Sequence, residues 1–219
     1  MRKYLATVFL FFIAICSVAA QDELPVAADS QASVEHTEAL ILKLRNINQL
    51  QGNFEQVQFT DRNAPLVQSS GRFRLLRPGY FSWEITAPDS QLIIADPDFL
   101  WHWDRDLETV TRRPVTNSAQ MSPLQVLGGD EAALREKFEV SRPVEEVFAL
   151  TPRPDTGDPG FQRLSLQLTE EGIRGMEIID KLGQRVVISF TELDSTTVLT
   201  PGDFAFTPPE DVDQFFYDE

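Results

Sequence analysis

A mainly β domain, with an antiparallel sheet and a few helices over its apolar face, is the fold that three features of the sequence predict. Short runs of alternating apolar and polar residues recur along the chain, separated by turns rich in Pro, Gly, Asn and Asp. One pattern of helical period precedes these runs, and the period changes again near the middle of the chain. Neither a sequence repeat nor a linker interrupts residues 21–219, which read as a single domain.

The chain opens with MRKYLATVFLFFIAICSVAAQ. Arg2 and Lys3 give a positive start, Leu5 to Ile15 an apolar stretch, and Val18-Ala19-Ala20 a small-residue exit. This is the pattern of a secretory signal cleaved after Ala20, and the run is too short to span a bilayer. Residues 1–20 are therefore expected to be removed and the product exported in soluble form. The single cysteine, Cys16, lies inside that signal. Lipidation there would require a small residue before it, and Ile15 is not one. The mature chain then has no disulfide, and its fold must rest on its core.

Acidic residues outnumber basic ones by 34 to 19, for a net charge of −15, and removing the signal takes two more basic residues away. Such a surface repels nucleic acid and anionic headgroups. It suits simple solubility and basic partner surfaces equally well.

Residues 21–32 are polar and Ala-rich and read as a flexible lead-in. From Ser33 to Leu50, the spacing of Leu40, Ile41, Leu44, Ile47 and Leu50 predicts an amphipathic helix. Strand patterns follow in NFEQVQF, RFRLLRPGYFSWEI, QLIIAD, FLWHWD and ETVTRR. In SPLQVLGGDEAALREK the period becomes helical, with one short helix from Pro123, a stop at Gly128-Gly129, and a second helix started by Asp130. Strands resume in FEVSR, EEVFALT, QRLSLQLT, GIRGMEIID and QRVVISFTEL. Leu164, Leu166 and Leu168 share one side of their strand, as do Val186, Ile188 and Phe190.

Phenylalanine occurs 16 times, with tryptophans at Trp83, Trp101 and Trp103. A well-filled core would account for this. So would a curved sheet with a concave face lined for an apolar ligand and lidded by the helices. Within RFRLLRPGYFSWEI, the residues Phe73, Leu75 and Arg77 share one side, and Phe81, Trp83 and Ile85 share another. An arginine at the end of an apolar face must either reach solvent or find acceptors such as helix C-terminal carbonyls.

Catalytic chemistry is poorly supplied. His36 and His102 are the only histidines, and His102 with Asp104 reads as a solvent-facing strand end in preference to a metal site. Gly-x-Ser-x-Gly, P-loop and dinucleotide fingerprints do not occur. Glu55 and Glu84 are carboxylates in strands with aromatic neighbours, and they read as outward-facing charges. The sequence predicts no enzyme and no cofactor or metal site.

Taken in order, the helix, GNFEQ, GRFRLLRPGYFSWEI, PDSQLIIAD, LWHWDRDLETVTRRP, SPLQVLGGD, MEIIDKLGQ and FAFTPPEDVD resemble the LolA family of periplasmic outer-membrane lipoprotein carriers. The resemblance runs from about residue 36 to residue 213, and its most specific parts are Arg77, Pro78, Phe81 and Trp83 and the closing Phe206-x-Pro208-Pro209. It implies an unclosed, strongly curved antiparallel β-barrel of about 11 strands, lidded by the N-terminal and mid-chain helices. It further implies a periplasmic monomer that takes lipoproteins from an inner-membrane ABC transporter and passes them to the outer-membrane receptor LolB. In such a protein Arg77 latches the lid through backbone carbonyls. Strand alternation and helix periodicity then assign the acyl-chain cavity to Phe54, Phe73, Phe81, Trp83 and Trp101, with lid contacts from Leu44, Ile47, Leu124 and Leu127. The alternative within the same fold is a lipid-sensing module like RseB, which carries a second domain that this length does not accommodate.

Overall fold

The computed structural model describes residues 26–60, 64–115, 126–127, 130–154, 156 and 160–217. The expected signal over residues 1–20, and most of the short helix expected from Pro123, lie outside them. The helix α1 spans Val26–Arg45, and six strands follow: β1 Gln49–Phe59, β2 Pro65–Leu76, β3 Tyr80–Ala87, β4 Gln91–Ala95, β5 Phe99–Asp104 and β6 Thr109–Pro114. After the mid-chain segment come helix α2 Glu131–Lys137 and strands β7 Phe138–Val144, β8 Val147–Pro152, β9 Phe161–Thr169, β10 Gly172–Asp180 and β11 Arg185–Asp194. A 3-10 turn at Pro201–Phe204 and the strand β12 Asp213–Phe216 close the chain.

All twelve strands form one sheet in the order β12-β6-β5-β4-β3-β2-β1-β11-β10-β9-β8-β7. Every pair is antiparallel except β12 with β6, which run parallel. Among the described residues β7 and β12 are the two free edges, so the sheet is not closed. The count exceeds the expected eleven by one. The sheet also curls. β3 and β11 are three steps apart, roughly 14 Å in a flat sheet, yet the rings of Trp83 and Phe190 lie 6.1 Å apart. Inward side chains can converge in this way only on a concave face.

One apolar cluster fills that face, joining Leu75 and Phe81 near one side to Phe148, Leu150 and Leu164 at the other. α1 contributes Leu40, Ile41 and Leu44, and α2 contributes Leu134. The alternation expected in β9 and β11 is present, with Leu164, Leu166, Leu168, Ile188 and Phe190 all buried. Ser33 ties α1 to the edge strand, because its hydroxyl accepts the Val140 N–H at 3.0 Å.

Two boundaries differ from expectation. Helix begins at Val26, so the flexible lead-in of 21–32 is corrected over 26–32, where an Ala-rich segment favours helix. The same helix ends at Arg45, five residues early, because Leu50 pairs with Leu75 at the start of β1. Asp130 caps α2 as expected, its carboxylate accepting the Ala133 N–H at 3.0 Å.

The outer face also carries an apolar layer. The chain after β11 crosses it, packing Leu199, Phe204 and Phe206 against Ile94, Tyr80 and Trp101 before joining β6 as β12. Leu199 N–H donates to the Gln49 side-chain oxygen at 3.1 Å, which pins the start of this strap.

Candidate functional site

The inner face of β1–β3 is a layered aromatic wall. Cross-strand register sets Phe73 opposite Trp83 and Leu75 opposite Phe81. Phe54 and Trp83 stack with centroids 3.6 Å apart, Phe81 stacks on Trp83 at 6.0 Å, and Phe73 meets Phe190 edge-on at 4.9 Å. Phe54 sits opposite Gly71, whose missing side chain leaves the Phe54 ring room to lie over β2 and meet Trp83 on the diagonal. A Cβ at that position would run into the Glu84 carbonyl and come within 2.9 Å of the Phe54 ring.

The corner between β2 and β3 carries Arg77. Gly79 turns the chain there with φ of +84°, a conformation that glycine accommodates best. The Arg77 N–H donates to the Asn48 carbonyl at 2.8 Å, which fixes the corner to the link between α1 and β1. Its Nη2 donates to the Leu127 carbonyl at 2.6 Å. The guanidinium is half-buried, and its Nε has no hydrogen-bond acceptor among the described residues. Burial pushes its pKa down, and the field of Glu131 opposes that shift. Of the two options left open for this arginine, the second holds: it finds a backbone acceptor, in the mid-chain segment.

Phe54, Phe73, Phe81 and Trp83 therefore stand together on the inner face, and Leu44 and Leu127 are buried against the same cluster. Ile47 packs on it from the link between α1 and β1 while partly exposed. Leu124 lies outside the described residues. Trp101 is a correction, for it points to the outer face. Trp83 pairs with Ile93, Ile94 with Trp101, and the alternation leaves Trp101 outside, against Phe206 at 5.5 Å and Phe216 at 6.2 Å. Phe190 is absent from the sequence-based candidates although it touches both Phe73 and Trp83. The alternation Val186-Ile188-Phe190 is the signal that could have found it.

His102 is half-buried and not solvent-facing, with Nε2 3.3 Å from the Gln91 side-chain oxygen, and burial lowers its pKa. Glu84 is held outward by Arg72 at 2.9 Å and Arg105 at 3.0 Å. Among the described residues no group of His, Cys, Asp and Glu is arranged to hold a metal. A polar groove of about 530 Å³ lies on the outer face, between Arg72, Arg74, Ser82 and Glu192. No described helix is long and apolar enough to cross a membrane.

A curved, unclosed sheet with an aromatic concave face, closed by helices and tied by one arginine, defines a half-barrel suited to apolar ligands. A family model described as "Outer membrane lipoprotein carrier protein LolA" matches residues 45–207. An outer-membrane lipoprotein carrier protein from Xanthomonas oryzae pv. oryzae is 38% identical over 175 residues, covering 77% of this chain and 82% of its own. Another so named, from Halorhodospira halophila, is 34% identical over 190 residues, covering 87% and 90%. The chain belongs to the LolA family. At the level of fold, an uncharacterised conserved protein from Thermus thermophilus aligns with a TM-score of 0.50 at 14% identity, covering 83% of this chain and 99% of that one.

Proposed function

We propose that this protein is a periplasmic carrier of lipoproteins bound for the outer membrane. It receives them from an inner-membrane ABC transporter and surrenders them to the receptor LolB. The observation that carries the reading is the contact between Arg77 and the Leu127 carbonyl beside the aromatic wall. It is a polar tie holding apolar elements over an apolar face, and it can open without dismantling the sheet. Three acyl chains carry roughly 45 methylenes, so exposing them to water would cost tens of kcal/mol at ~0.8 kcal/mol each. A lipoprotein cannot cross an aqueous compartment without such cover.

The carrier cycle asks for no catalytic step. Energy enters at the transporter, and release follows the receptor's higher affinity together with closure of the empty lid. Acyl chains would displace the lid from Phe54, Phe81 and Trp83 and take its place. Mass spectrometry of the mature protein isolated from the periplasm tests this directly. Triacylated lipoprotein should co-purify with it. Recovery of only a signalling partner, with no lipoprotein, would reject the carrier reading.

A further inference from the structure

On the solvent side of the lid, α1 and α2 meet through four charges. Arg45, in the last turn of α1, donates from Nε and Nη2 to both carboxylate oxygens of Glu131, at 2.6 and 2.8 Å. Arg135, one turn along α2, donates to both oxygens of Glu38 at 2.7 and 3.0 Å and to Glu131 at 3.2 Å. Paired Arg–carboxylate bonds fix orientation as well as distance. Two of them at different heights therefore prevent one helix from rotating against the other.

Glu131 has a third cation in its field. It lies four residues beyond Leu127, whose carbonyl holds Arg77. Its negative charge is also the influence that counters the burial of the Arg77 guanidinium. Arg45, Arg135 and Arg77 come from α1, α2 and the corner of the sheet, the three elements that separate when a lid opens.

We propose that Glu131 is a positioning residue for the latch: it binds α1 and α2 into one body and favours Arg77 in its seat on the Leu127 carbonyl. The lid then opens as a unit. Once the mid-chain segment departs with α2, Arg77 loses its acceptor, which makes the closed state all-or-none. The purpose of this device rests on the carrier reading, but its existence does not.

Hydrogen exchange on the empty mature protein tests it without any cargo. Glu131→Gln should lower protection of the α1 and α2 amides together by roughly five- to tenfold. Its effect should be smaller in an Arg77→Leu background than in the parent, because the two act through one another. Raising ionic strength to about 1 M, where the Debye length is ~3 Å, should loosen the parent lid more than that of Glu131→Gln, which retains only the Arg135–Glu38 pair between the helices. Glu131→Asp, which keeps the charge on a shorter arm, should fall between the two. Loss confined to α2 would mean that Glu131 serves only the first turn of its own helix. That result, or independent multiplication with Arg77→Leu, or a salt-insensitive parent lid, overturns the proposal. Should Glu131→Gln fail to fold, the salt titration of the parent still decides. A protein that binds no lipoprotein would end the carrier reading while leaving these exchange results standing.

Discussion

Arg77 Nη2 and the Leu127 carbonyl oxygen stand 2.6 Å apart, joining the corner of the sheet to the mid-chain segment across fifty residues of sequence. Each group alone would be poorly placed. The guanidinium ends an apolar face, and the carbonyl belongs to a residue buried in the core. Together they satisfy one another, and in the proposed cycle this is the contact that lid opening would break. The Arg77 N–H on the Asn48 carbonyl holds the backbone of the corner in place, which in the proposed cycle would let the tie re-form at the same position.

Replacing Arg77 with leucine should leave loading intact and slow unloading. A lost hydrogen bond from a charged donor costs the closed state about 1.5–3 kcal/mol. A leucine buried under the acyl chains adds about another 1.5–3 kcal/mol to the loaded state. Both changes favour open and loaded, and together they shift the partition by roughly two to four powers of ten. Lipoprotein should be followed from loaded carrier to receptor. Transfer at the parent rate would reject the latch.

Much of this wall was legible because alternation in β2 and β3 is clean. Phe73, Leu75, Phe81 and Trp83 are separated by Arg74, Ser82 and other polar residues, so one side is marked apolar. Beyond β3 that contrast fails. QLIIAD is apolar on both sides, with Ile93 inside and Ile94 outside, and a turn at Asp96–Asp98 intervenes before β5. Nothing local says which side Trp101 takes. The outer face there is apolar because the C-terminal strap covers it, a long-range fact that no short window contains. β12 escaped for a related reason, being four residues long and parallel to a strand a hundred residues earlier. The charged contacts of Glu131 were half visible. Its i, i+4 spacing with Arg135 is local, but Arg45 reaches it, and Glu38 reaches Arg135, only through the packing of α1.

Trp83 and Trp101 should therefore behave differently. Trp83→Ala opens a void beneath Phe54 and Phe81 and should cost about 3–5 kcal/mol, with lipoprotein capture impaired in what remains folded. Trp101→Ala removes contacts with Phe206 and Phe216 on the far side of the sheet. About 1–2 kcal/mol of stability should be lost, with capture unchanged. Denaturant melts paired with a capture assay separate the two. Equal loss of capture would return Trp101 to the cavity.

Gly71→Ala should damage the wall without touching an aromatic residue. The added methyl meets the Glu84 backbone carbonyl and the Phe54 ring, so the strand or the ring must shift to admit it. Overpacking of this kind costs about 1–3 kcal/mol and should loosen the Phe54–Trp83 stack. Tryptophan fluorescence and thermal melting report both. A variant as stable as the parent, with unchanged emission, would show that β2 and β3 yield there.

Acid should release the lid before it dissolves the sheet. Hydrogen bonds from Arg45, reinforced by Arg135, hold the Glu131 carboxyl down from its ordinary 4.5 to about 2, although burial pushes the other way. Its folded pKa lies below its unfolded one, so its contribution is complete above about pH 4.5 and disappears as pH falls through about 2. Glu38 is lowered as well, through Arg135, and weakens over a window displaced in the same direction. The rings of Phe54, Phe73, Phe81, Trp83 and Phe190 do not titrate, so their own packing does not share this dependence. A carbon-detected titration of the Glu131 carboxyl should show a midpoint near 2, and exchange of the α1 and α2 amides should accelerate over the same range. Arg45→Ala should move that midpoint up toward 4.5, because it removes the larger of the two supports. A parent midpoint already at 4.5 would mean that the carboxylate is free in solution and that the helices are joined by packing alone.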